Sequence, residues 1–123
     1  MEYFNGTIRY AGYDNFKVDN NETDYTLSSL GQYSSDKDDQ FWGGDNLRWH
    51  EGMKFSTFDN ENDLWNKECA KIHKGGWWFN RCTASNLNGL YSEMGGSKYA
   101  RMFWLDYLPL KSVQMMIRKY QPL

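Results

Sequence analysis

Cysteine, histidine and proline are nearly missing from this 123-residue chain, with two residues of each. Two cysteines and two histidines are too few for a zinc cluster, and His50 and His73 lack the spacing that tetrahedral sites use. Cys69 and Cys82 are too far apart for a C-x-x-C redox motif. No apolar run approaches the roughly 20 residues of a membrane span, and the start carries no h-region, so no signal peptide is visible in this chain. An excess of one charge is missing as well: 14 basic residues face 16 acidic ones, a net charge of −2. That leaves no electrostatic footprint for nucleic acid or an anionic membrane. Catalytic constellations are equally scarce. No Ser/His/Asp or Cys/His arrangement is recognisable, and Gly95-Gly96 lacks the Lys-Ser/Thr of a phosphate cradle. Asp59 and Asp63, the nearest thing to a glycosidase pair, lie in a polar loop. The chain does not read as an enzyme.

What is abundant is aromatic: 18% of residues are Phe, Trp or Tyr, alongside 11 glycines. A chain of this length forms one domain with a modest core. Aliphatics are sparse, so that core is built largely from rings. The most informative stretch runs from Gly52 to Gly89. It reads as a strand (Met53 to Phe58), an acidic loop, Cys69, a short connector, Gly75-Gly76-Trp77-Trp78-Phe79, Cys82 and a turn at Asn86-Leu87-Asn88-Gly89. In the loop, Asp59, Glu61 and Asp63 alternate with asparagines. Alternate acids either converge on a hard cation such as calcium or line a solvated turn. Leu64 stands where an EF-hand requires glycine. Gly75-Gly76 permits a sharp turn before the aromatic triplet, whose rings either pack in the core or lend one face to a ligand pocket. The asparagines of the last turn are expected to bond local backbone.

Elsewhere, residues 7–11 and Phe16-Lys17-Val18 read as strands joined by a turn at Gly12 to Asn15, with a third strand at Tyr25-Thr26-Leu27. Strands so closely spaced favour antiparallel pairing. Residues 33–52 are polar, and Asp36, Asp38, Asp39 and Asp45 with Lys37 read as a solvated loop, anchored by Trp42 and Trp49. In the tail, Phe103-Trp104, Tyr107-Leu108 and Val113 to Ile117 read as β-structure with Pro109 in the intervening loop. Met115 and Met116 are expected to pack in the core. Asn5-Gly6-Thr7 and Asn21-Glu22-Thr23 are glycosylation sequons, placing sugar at Asn5 and Asn21 if the chain is secreted.

The segments FSTFDNENDLWNKECA, GGWWFNRC and SNLNGLY, with RYAGYDNFKVDNNETDYTLSSLGQYSSD upstream and FWLDYLPLKSVQMMIR downstream, resemble the fibrinogen-like domain of fibrinogen chains, ficolins, tenascins and angiopoietins. The resemblance implies an α+β fold, with a short antiparallel sheet remnant over residues 1–52. A loop-rich calcium and pocket subdomain would follow over 53–123, stapled by a Cys69–Cys82 disulfide. Such a ring of about 14 residues is worth about 3 kcal/mol from loop-closure entropy. The family's opening disulfide loop and Gly-Gly-Trp-Thr motif have no counterpart, so the chain is expected to be roughly the domain's C-terminal half. It would be either a partial product or a natural short relative, with oligomerisation left to a missing upstream region.

The resemblance also assigns residues. It places calcium ligands at Glu61 and Asp63, with the carbonyls of Trp65 and Lys67. Glu61 stands where aspartate is usual and Lys67 where glycine is frequent, so weak binding is expected, at or beyond about 10⁻⁴–10⁻³ M. It implies a cis peptide at Arg81-Cys82 and a binding pocket beside it. His73, Arg81, Thr83, Tyr99, Ala100 and Arg101 fall at candidate ligand-binding positions. Thr83 replaces a frequent histidine, and Ile72-His73 replaces the Gln-Asp pair of the fibrinogen peptide pocket. A cationic peptide terminus would therefore find no carboxylate to offset its desolvation, whereas an acetyl group needs only an apolar slot and a donor. The expectation is a secreted, calcium-supported, lectin-like pattern-recognition module for glycan or acetylated ligands. The alternatives are an angiopoietin-like ligand of a cell-surface receptor and a truncated product without independent function.

Overall fold

The run of alternating residues near the start folds as one interrupted hairpin. In the computed structural model, which describes residues 1–36, 44–91 and 97–119, strand β2 (Ala11–Tyr13) pairs antiparallel with β5 (Tyr33–Ser35), and β3 (Lys17–Val18) pairs with β4 (Leu27–Ser29). The turn expected at Gly12 to Asn15 is instead a break within one arm. There the Asp14 carboxylate accepts the Gln32 N–H at 2.6 Å, and Asn15 N–H bonds Leu30 O at 3.2 Å. Gly31 answers on the other arm with φ +72 and no room for a Cβ against Asp14 and Asn15. The true reversal is the 3₁₀ turn Asn21–Thr23, capped by the Asn20 side chain. The third strand accordingly lies two residues later than Tyr25.

Strand β1 (Glu2–Tyr3) pairs with β6 (Leu110–Ser112), bringing the two ends of the described chain together. Helix α1 (Cys69–His73) is a little over one turn. The expected strand at Met53 to Phe58 is reduced to isolated bridges, Ser56 with Trp77 and Thr57 with Asn60. Its residues go into loop contacts rather than a ladder.

The core is shared by both halves of the chain. Leu27, Leu30 and Leu47 from the first half pack with Cys69, Trp77, Trp78 and Phe79 from the second, and Trp78 Nε1–H donates to Tyr25 O at 3.0 Å. The aromatic triplet is thus core, as its apolar area favours. Two expectations fail on burial. Trp49 is half-exposed, and Met115 and Met116 face solvent because residues 113–119 extend past β6 with no partner strand among the described residues. Lys37, Asp38, Asp39, Trp42 and Gly95-Gly96 lie outside the described residues.

Candidate functional site

The members of the acidic loop go to different partners. Asn62 turns toward the preceding segment, its N–H on Ser56 Oγ at 2.8 Å and its amide on Phe55 O at 2.9 Å. Asp59 is removed from the group: it is exposed and accepts the Thr57 hydroxyl at 2.6 Å. Glu61 and Asp63 remain together. Asp63 accepts Trp65 N–H at 2.9 Å and Cys69 N–H at 3.1 Å, which ties the loop to the start of α1. Both Glu61 oxygens are buried, beside the Asp63 carboxylate and the Ala70 backbone. Burial first, and then the adjacent Asp63 carboxylate, push its pKa up to about 7.

Two hard carboxylates lie side by side, a small part of the six to eight oxygens that calcium takes. Glu61 and Asp63 would supply side-chain oxygens, and Trp65 and Lys67 carbonyls. The Lys67 ammonium lies 5.2 Å from the centre of the Trp65 ring and pairs with neither acid. Among the described residues no group of three or more Asp, Glu, His or Cys gathers to hold an ion.

Next to this loop, Cys69 and Cys82 form a disulfide with Cα atoms 5.6 Å apart. The Arg81-Cys82 peptide is cis. Asn80 links the neighbouring segments, accepting Leu64 N–H at 3.0 Å and donating its amide to Trp49 O at 2.9 Å.

The six candidate ligand residues fall into two groups. His73, at the end of α1, is buried, with Nδ1 2.5 Å from Tyr99 O and its ring stacked on Phe79 at 5.7 Å. Burial lowers its pKa. The half-exposed Tyr99 ring stands edge-on to His73 and to Tyr107, and Lys98 Nζ lies 5.3 and 5.6 Å from the Tyr99 and Tyr107 ring centres. Arg101 is only 9% exposed; it donates to Tyr107 O at 3.3 Å and leaves Nε without a partner. Ala100 is buried between them in sequence. Thr83 belongs elsewhere: its hydroxyl bonds Ser85 O and lies 3.3 Å from His50 Nε2. Arg81 is exposed beside Cys82.

His50 is a residue that sequence reasoning set aside. It is fully buried, with Nδ1 2.9 Å from Trp78 O and Nε2 accepting Ala84 N–H at 3.0 Å. That pair fixes the neutral Nδ1–H tautomer, and burial drives its pKa down to about 4. It braces the segment after Cys82 from behind. A single histidine in a polar stretch carries no sequence signal for such a role.

Asn5 and Asn21 both sit on exposed turns; Asn5 Oδ1 accepts Thr7 N–H at 2.9 Å. No helix among the described residues is long and apolar enough to cross a membrane.

Residues 1–122 match the family described as fibrinogen beta and gamma chains, C-terminal globular domain. Angiopoietin-related protein 7 of Homo sapiens is 38% identical over 124 residues, covering 96% of this chain and 34% of that protein. Techylectin-5A of Tachypleus tridentatus is 39% identical over 115 residues, covering 89% and 37%. The fibrinogen-like globe domain of human ANGPTL2 superposes with a TM-score of 0.74 at 36% identity, over 85% of this chain and 46% of that one. The chain spans between about a third and a half of the length of each of these proteins.

Proposed function

The chain belongs to the family of the C-terminal globular domain of fibrinogen beta and gamma chains, and from that membership we propose that it is a secreted recognition module binding an acetylated or glycan ligand beside its disulfide loop. The observation that carries this reading is the exposed Tyr99 ring, set on His73 and Tyr107 with Lys98 and Arg101 alongside. An aromatic face flanked by donors is a surface on which a sugar ring or an acetyl methyl group packs while its oxygens are bonded. A lectin among the relatives supports the same reading.

Calcium at Glu61 and Asp63 would neutralise two adjacent carboxylates and stiffen the loop that Asn80 joins to Cys82. Asp63 would hold α1 through Cys69 N–H, and the ion would offset the repulsion between the Glu61 and Asp63 carboxylates.

A second reading, a receptor-binding protein surface, is favoured by the state of His73 and Thr83. Both side chains are already engaged by backbone carbonyls, His73 by Tyr99 O and Thr83 by Ser85 O, which leaves fewer donors for a small ligand. A glycan array of N-acetylated sugars, run with and without calcium, separates the two. Calcium-dependent binding that Tyr99→Ala abolishes supports the lectin. No sugar binding, with retained binding to a receptor ectodomain, sinks it in favour of the second reading.

A further inference from the structure

A hollow of about 760 Å³ opens between α1, the turn at Thr57 to Asp59, and Leu90. None of the Tyr99 cluster lines it. Phe58 and Leu90 do, and each remains 69% and 53% exposed, respectively. Two lysines share the lining, Lys71 and Lys74, three residues apart on α1 and its cap. Lys71 is held by Glu68 at 2.8 Å in an exposed pair, which is readily exchanged for another carboxylate. Lys74 has no carboxylate within ion-pair distance among the described residues. It also occupies the left-handed cap position (φ 56) where sequences ordinarily place glycine. A lysine there costs conformational energy and sets an unpaired ammonium at the rim of an apolar hollow.

The geometry points to a second recognition site: the hollow takes a segment of a protein partner that carries an aromatic or long aliphatic side chain next to a carboxylate. The apolar side chain packs against Phe58 and Leu90, and the carboxylate meets Lys74 and Lys71. Asp59 also lines the hollow, with one oxygen held by Thr57, and disfavours an acid placed beside it. The volume is in the range that holds a drug-sized ligand, room for a short peptide segment. A peptide is favoured over an acidic sugar because Phe58 and Leu90 offer no polar atom to a ring of hydroxyls. The site does not depend on the Tyr99 surface or on calcium, so either proposal can fail alone.

The test is ¹⁵N–¹H NMR titration of the full chain with the capped peptide Gly-Phe-Glu-Leu-Gly and with Gly-Phe-Gln-Leu-Gly. Shifts are expected at the amides of Lys74, Gly75, Gly76 and Leu90, with affinity for the Gln peptide weaker by about tenfold, the loss of one charge-assisted contact. Lys74→Gly, which relieves the backbone and preserves the fold, is expected to weaken the Glu peptide equally while leaving the melting temperature unchanged or higher. Equal binding of both peptides, no shifts at millimolar peptide, or full affinity in Lys74→Gly overturns the proposal. So does N-acetylneuraminate producing the same shifts at lower concentration, which would make the hollow a sugar site.

Discussion

His50 and Glu61 are both buried where their charged forms are penalised, and the two penalties act on stability in opposite directions. Burial lowers the His50 pKa from 6.5 to about 4. Between those values the unfolded chain binds more protons, so this contribution is complete above pH 6.5 and is lost as pH falls toward 4. His73, lowered for the same reason, adds to that slope. Glu61 is raised from 4.5 to about 7; the folded state then binds more protons, and stability declines as pH rises through that window. In Glu61→Gln the second slope disappears. That variant is expected to melt higher than the parent at pH 7.5 without calcium, and to lose the gain that the proposed calcium site would give the parent, about 2.7 kcal/mol at a hundredfold excess over Kd. Calcium raising its melting temperature as much as the parent's would remove Glu61 from the site. In that background, His50→Phe is expected to flatten the remaining dependence between pH 4 and 6.5. It also leaves Trp78 O and Ala84 N–H unpaired, at about 1–3 kcal/mol each. Thermal melts across pH read both effects, and an undiminished slope would assign it to other groups.

The elements that hold the site depend on contacts between segments more than on regular structure. The asparagines of the Asn86 turn do not bond locally as expected. Asn86 donates to His73 O at 2.8 Å and Asn88 to Gly76 O at 2.9 Å, so the turn is laced to the disulfide ring. Gly75 is the point of closest approach: a Cβ there would meet Asn88 O at 2.5 Å, which is backbone and cannot swing aside. Gly75→Ala is therefore expected to cost about 1–3 kcal/mol by overpacking, and Cys69→Ser with Cys82→Ser about 3 kcal/mol by releasing the ring. Denaturant midpoints measure both; a neutral Gly75→Ala would show that the two loops are not rigidly docked. Local chemistry explains what was legible beforehand. Glycine pair, tryptophans, half-cystines and alternating acids lie within one stretch, and each residue type constrains its own backbone. The strand partners were not legible, because Ala11 and Ser35 carry no mark of each other and the Asp14 break looks like any polar turn. Thr83 and Tyr99 were grouped through the resemblance, whereas packing assigns Thr83 to His50. The hollow beside Lys74 has no sequence signature, since its lining comes from three separate segments.

At the scale of the molecule, the described strands form three separate two-stranded sheets, so every one of those strands has one edge without a strand partner among the described residues. Edges of that kind are templates for pairing with another chain unless charge or a bulge protects them. The β1–β6 sheet is bonded on both flanks, through Tyr3 N–H to Thr7 O, Arg9 N–H to Met1 O and Leu110 N–H to Met102 O, and the unpaired stretch is the one that follows it. Ile8 bridges to Glu2 beside it, and residues 113–119 continue extended beyond β6 with Met116 79% and Ile117 85% exposed. Apolar side chains next to an open edge supply both the area and the hydrogen-bonding groups for association. The chain alone is expected to form dimers or larger species in sedimentation velocity as its concentration rises through tens of micromolar. Met116→Lys with Ile117→Lys, on side chains that pack against nothing in the core, is expected to change stability by no more than about 0.5 kcal/mol while shifting the population to monomer. If the parent sediments as a monomer throughout, the exposed strip is tolerated as ordinary surface. If the double-lysine variant associates as strongly as the parent, the contact lies on another edge, and the β2–β5 pair becomes the place to introduce the next charge.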